Sequence, residues 1–171
     1  MCKWLFGLVS LLLTGCGGYP PNITPVQQFD VNRYLGKWYE IARLDHSFER
    51  GLEQVSAEYT LLDNGRVKVV NRGFSTKNNE WKEATGKAFL AGRTDEGYLK
   101  VSFFGPFYSS YVVFGLDEEN YQFAYVSGPN HSYLWLLSRT PQIEEEVLNR
   151  FVDTAKEKGF DTEKLIYVKQ K

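Results

Sequence analysis

Two histidines, His46 and His131, and a scatter of carboxylates are the side chains that acid–base or metal chemistry would need here. A hydrolase requires a nucleophile, a base and an orienting partner within hydrogen-bond reach. His46 and His131 fall in separate connecting segments, so neither has an obvious partner. Asp45, His46 and Glu49 are close in sequence and imitate a catalytic or metal cluster, but their spacing matches no known ligand set. A solvated loop is the better reading, and the sequence calls for no catalytic residue, no metal and no cofactor. The only thiols are Cys2 and Cys16. Both precede the body of the chain, which can therefore close no internal disulfide. Binding, rather than bond-making, is the expected activity.

The composition agrees. Of 171 residues, 43% are hydrophobic and 16% aromatic, which suits strands and large apolar interiors. The net charge of −1, with no basic run, leaves a nucleic-acid partner without an electrostatic footprint. At the front, Lys3 precedes an apolar run, Trp4 to Leu13, that is too short to span a bilayer and has the layout of a secretory signal. Leu13-Thr14-Gly15-Cys16 resembles the lipobox of bacterial lipoproteins. That resemblance implies a signal peptide over residues 1–15, cleavage before Cys16, and acylation of Cys16 as the membrane anchor. Gly17, where an Asp would favour retention at the inner membrane, implies a periplasm-facing lipoprotein of the outer membrane. Residues 16–28 then form an acylated N-terminus and an extended spacer with Pro20, Pro21 and Pro25, ahead of a domain over residues 29–171.

The domain must be built of strands. In Glu53–Leu62 the residues Val55, Ala57, Tyr59 and Leu61 alternate with Gln54, Ser56, Glu58 and Thr60, the mark of a half-buried strand. Asp63-Asn64-Gly65 supplies a tight turn. Further segments are Lys37–Arg43, Arg66–Phe74, Trp81–Leu90, Gly97–Phe104, Ser110–Asp117, Tyr121–Ser127 and Tyr133–Arg139. Eight strands in simple succession predict an all-β, antiparallel up-and-down barrel, with Leu44–Leu52 as a lid over one end. Thr140 as N-cap, Pro141 at the first position and the stripe Ile143, Val147, Phe151 and Ala155 predict a helix ending at Gly159 and packed outside the barrel. Leu165–Val168 is a short final strand.

Gly36-Lys37-Trp38-Tyr39 resembles the Gly-X-Trp motif that opens the lipocalin fold. Leu116-Asp117 with Tyr121-Gln122-Phe123-Ala124 is similar to a degenerate second lipocalin motif, and Ser138-Arg139 to the third. The resemblance implies structural parts for Gly36, Trp38, Asp117 and Arg139, with Trp38 plugging one end and Arg139 packed across it. Longer stretches, Tyr34–Arg43, Phe48–Leu52, Val101–Phe107 and Tyr133–Pro141, resemble the bacterial outer-membrane lipoprotein lipocalins (the Blc family), and more distantly the plant temperature-induced lipocalins and apolipoprotein D. This implies a fatty acid or lysophospholipid ligand, stored or transported in the cell envelope.

Strand parity gives the expected cavity lining: Ala42, Val55, Ala57, Tyr59, Val69, Ala88, Val101, Phe103, Tyr111, Val113, Ala124, Val126, Tyr133, Trp135 and Leu137. Small inward residues, Ala57, Ala84, Gly86, Ala88, Gly115 and Ala124, favour a void over a filled core. Glu40, also inward, should pair with Arg43 or Arg139. Arg43, Arg50, Tyr59, Tyr111 and Tyr133 are candidates to meet a ligand's head group. The partners expected are the lipid ligand and the membrane, reached through the lipid anchor; a homodimer stays open. Two rival readings also stay open, a lipid-modifying envelope enzyme and an envelope scaffold that binds no ligand.

Overall fold

Alternating sequence closes into a single wall. The computed structural model describes residues 18–171, so Cys16 and the expected signal segment lie outside the described residues. Eight antiparallel strands follow in order: β1 (Gly36–Arg43), β2 (Leu52–Leu61), β3 (Val67–Ser75), β4 (Glu80–Leu90), β5 (Tyr98–Phe104), β6 (Phe107–Leu116), β7 (Phe123–Ser127) and β8 (Leu134–Ser138). Each pairs with the next, and β1 pairs with both β8 and β2, which shuts the barrel and removes its free edges. A two-residue strand, β9 (Ile166–Tyr167), adds outside β1.

The barrel wall separates two apolar clusters. One fills the interior around Trp38, Tyr34, Tyr59, Val69, Val113 and Leu137. The other lies on the outer wall, where Phe151 and Ala155 of helix α2 (Glu145–Glu157) press on Val112, Leu134 and Leu136. Among the described residues no helix is long and apolar enough to cross a membrane.

The helix begins later than the sequence predicts. Glu144 is its N-cap, while Thr140 and Pro141 sit in a preceding turn, where the Thr140 hydroxyl donates to Gln142 O at 2.6 Å. A Thr-Pro pair favours a turn as readily as a cap, and the acidic run 144–146 marks the true first turn. A short helix, α1 (Val31–Tyr34), capped by the Asp30 side chain on Asn32 N–H, was not expected.

Residues 19–28 are neither extended throughout, since Ile23 N–H closes a turn onto Pro20 O, nor a free spacer. Ile23 is buried against the outer cluster, Tyr19 packs edge-on to Tyr98, and Val26 exchanges backbone bonds with Val113 and Gly97. The prolines keep the segment from making a ladder of its own, yet its apolar residues still find the wall.

Candidate ligand-binding site

At the closed end the chain enters through α1 and Gly36, whose φ of +91° suits glycine and which lies beside Arg139. The Arg139 guanidinium lies 3.8 Å from the centre of the Trp38 ring. It donates to the carbonyls of Arg33, Leu35, Lys37 and Tyr121, tying both chain crossings to the base of the barrel. The Trp38 indole N–H donates to Tyr34 O at 2.8 Å. Asp117 holds the neighbouring turn by accepting from the backbone N–H groups of Asn120 and Gln122.

Above the plug lies a floor of three tyrosines. Tyr111 Oη is 2.7 Å from Tyr34 Oη and 2.8 Å from Tyr59 Oη, and burial pushes all three phenols above their ordinary value. Tyr59 and Tyr111 are thus occupied with each other and with Tyr34, which the sequence reading missed. Its signal was present, one helical turn before Trp38 behind an Asp cap.

From the floor upward the barrel is lined as follows. Tyr59, Val69, Ala88, Val113, Ala124, Val126 and Leu137 are buried in the inner cluster. Ala57, Val101, Phe103, Tyr111 and Trp135 pack against it and stay half-buried although they sit on the inner side. Ala84, paired with Asn71 on the same face as Val69 and Gly86, is exposed. Val55 is buried beside Gly73, where an added Cβ would come within 3.2 Å of it. Tyr133 stands at the rim, its ring 6.2 Å from Trp135.

Two residues are misplaced by simple parity. Ala42 belongs to the outer cluster, not the lining, because β1 carries a bulge: Glu40 pairs with Leu137 but Ala42 with Leu136. One extra residue inverts the face of all that follows. The second is Gly115, turned outward by a bulge between Val113 and Gly115, where its missing Cβ makes room for the Tyr125 ring.

The β1 bulge has a chemical result. Glu40 and Arg43 both reach the interior, with Arg43 Nη1 donating to Glu40 Oε1 at 2.7 Å. The lid, far from solvated, sends His46 and Glu49 into the mouth, each only 6% exposed. Glu49 Oε2 lies 3.0 Å from His46 Nε2 and accepts from the Trp135 indole N–H at 3.2 Å. Asp45 and Arg50 stay outside as an exposed pair, and Arg50 is thereby spent. Burial pushes the Glu40 carboxyl well above its ordinary 4.5, the nearby Glu49 charge adds to this, and Arg43 opposes it. Burial also pushes Glu49 up, but His46, Glu40 and Trp135 as hydrogen-bonding partners bring it below 4.5. Glu40 therefore keeps its proton longer and Glu49 carries the charge. Arg43 Nε and His46 Nδ1 are buried without a hydrogen-bond partner among the described residues. No group of His, Cys, Asp and Glu among the described residues is arranged to hold a metal.

Residues 29–170 match the model of the lipocalin-like domain. The chain is 61% identical over 163 residues to the outer membrane lipoprotein Blc of Vibrio cholerae, covering 95% of each chain. It is 48% identical to the protein of the same name from Escherichia coli K12, covering 94% of this chain and 92% of the other. Among solved structures, insecticyanin from the tobacco hornworm superposes with a TM-score of 0.72 at 24% identity, covering 90% of this chain and 87% of that one.

Proposed function

The chain belongs to the lipocalin-like family, as a hydrophobic-ligand-binding protein of the outer membrane and not an enzyme; from that premise we propose that its barrel stores or carries a fatty acid or lysophospholipid, and that acylated Cys16 anchors it. The observation that carries this reading is the inner wall above the tyrosine floor. There Ala57, Val101, Phe103 and Trp135 sit on the inner side and remain half-buried, and Ala84 is exposed. A filled core would close over such positions. Burying a chain of ~16 carbons has a gross value of roughly 12 kcal/mol at 0.8 per methylene. Lost ligand freedom offsets much of it, so micromolar affinity is expected. Arg43 Nε and His46 Nδ1, under the lid and without partners, favour a ligand with an acidic head group.

Lipid extraction of the purified protein followed by mass spectrometry tests the ligand. Stoichiometric fatty acid or lysophospholipid is expected, and a delipidated barrel that takes up neither would end the carrier reading. Cys16→Ser tests the anchor. The variant should leave the membrane fraction, and retention there in high salt would count against acylation as the tether.

A further inference from the structure

We propose that the β5–β6 hairpin tip is a membrane-contact element that sets the barrel's mouth against the same bilayer that holds the anchor; this rests on the tethered-carrier reading. Phe104 and Phe107, 82% and 78% exposed, are the most exposed large apolar side chains among the described residues. They form a directly opposed cross-strand pair at the very end of the hairpin, around Gly105-Pro106. Phe48, Tyr167 and Trp81, the next most exposed aromatic side chains, are only 51–59% exposed, and Phe48 and Trp81 each pack on a neighbouring ring, whereas Phe104 and Phe107 pack on no other ring among the described residues. Exposed apolar side chains such as Phe gain by burying into the headgroup–acyl boundary of a bilayer.

Three features next to the tip point to lipid rather than protein. First, β4 and β5 pair only from Leu90↔Leu99 to Lys87↔Ser102, so above that level the wall parts beside the tip. A recess of about 240 Å³ opens there, lined by Thr85, Gly86, Lys87, Ser102, Phe103 and Gly105. Gly86 and Phe103 belong to the inner face, and the Phe103 ring lies where a Cβ on Gly86 would be. The Phe103 ring is thus what separates the recess from the interior at this point. Second, Lys68 and Lys87 stand directly opposite each other on the outer face, and neither forms an ion pair among the described residues. Like charges so placed cost stability in the free protein and are repaid at an anionic surface. Lys87 Nζ lies 4.0 Å from where a Cβ on Gly105 would be, which puts this charge at the base of the tip.

Third, the chain outside the described residues starts from the right place. Gly18 sits against Lys100 Nζ and Ser110 Oγ, partway up the outer wall of β5 and β6. Phe104 is only about 13 Å further along β5 from Lys100. Two residues reach at most about 7 Å, so an acyl anchor on Cys16 would start within roughly 20 Å of the tip. From that distance an anchored chain would let Phe104 and Phe107 reach the same bilayer.

The acylated protein in vesicles of phosphatidylethanolamine and phosphatidylglycerol tests this. With Cys16 acylated, Phe107→Cys and Asn64→Cys each give the mature chain a single free thiol for an environment-sensitive fluorophore, at opposite ends of the barrel. Nitroxide-bearing lipid should quench the Phe107→Cys label severalfold more than the Asn64→Cys label; equal quenching would overturn the proposal. Phe104→Ser/Phe107→Ser should slow transfer of a fluorescent fatty acid from vesicle to barrel about tenfold. Its affinity for the same probe supplied from solution should stay at the wild-type value. Unchanged transfer would also overturn the proposal. If wild type binds no probe even from solution, the carrier reading falls and the label positions alone decide the tip.

Discussion

The two ends of the barrel use the same residue types to opposite effect. At the closed end an arginine stacks on a tryptophan, and its guanidinium is satisfied by four backbone carbonyls. At the mouth an arginine, a histidine and two glutamates are more deeply buried than Arg139, yet Arg43 Nε and His46 Nδ1 have no hydrogen-bond partner among the described residues. The closed end spends its polar groups on tying chain segments together. The mouth holds polar groups in reserve, under a loop, beside half-buried apolar surface. One end is built to stay shut and the other to exchange.

The sharpest way to break that contrast is at the plug. Trp38→Ala removes a fully buried ring and should cost about 3–5 kcal/mol, a large part of the roughly 5–15 that holds such a domain. Arg139→Ala should be non-additive with it, since each loses its partner in the other's absence. By contrast Arg50→Ala, at the rim of the mouth, breaks only an exposed pair and should leave stability nearly unchanged. Denaturant unfolding of the four variants measures all of this. Strict additivity of Trp38→Ala and Arg139→Ala would mean that the stacked pair is not a unit.

A smaller effect is expected in the cavity, where binding and not folding should respond. Ala57→Trp places an indole on the half-buried inner face and should weaken fatty-acid binding at least tenfold, about 1.4 kcal/mol. Ser56→Trp, next in the chain but on the outer face opposite Tyr39, should leave affinity nearly unchanged. Titration of a fluorescent fatty acid against both decides between them. Loss of affinity in Ser56→Trp alone would put the ligand outside the barrel.

The contrast between the ends also explains what could be read in advance. Alternation from Glu53 to Leu62 and the Gly36-Lys37-Trp38 motif are local signals, and they sufficed for the strand order and for closure. The mouth depends on a bulge at Glu40–Ala42, one inserted residue with no signature of its own. Simple parity puts Ala42 in the lining for that reason. The same bulge turns Arg43 inward, and a buried guanidinium then draws Glu49 and His46 in from a loop whose sequence reads as solvated. The lid's burial is a consequence of β1's register, invisible in the lid itself. Gly115 follows the same rule on β6. The outer position of α2 was legible because its apolar stripe is local, whereas its first residue was not, because Thr140-Pro141 suits both a cap and a turn.

The smallest expected effect concerns Glu40, and it asks whether the mouth is truly the looser end. An unfolded chain releases the Glu40 proton near 4.5, whereas burial in the native mouth retains it to higher pH against the opposing pull of Arg43. Above 4.5 the native state therefore binds more protons than the unfolded state, and stability falls as pH rises through this window. Glu49 acts in the other direction. Its lowered value makes stability fall as the solution becomes more acidic than 4.5. Glu40→Gln reproduces the shape and the hydrogen bonds of the protonated acid, so it should remove the decline on the alkaline side and leave the acidic side as in wild type. Denaturant unfolding of both proteins across this range measures the two slopes. A Glu40→Gln variant that is several kcal/mol less stable at neutral pH, with the alkaline slope unchanged, would show Glu40 to be the ionised partner of Arg43. The mouth would then be locked by a buried ion pair as firmly as the plug is by its carbonyls, and the difference between the two ends would rest on the exposed apolar surface alone.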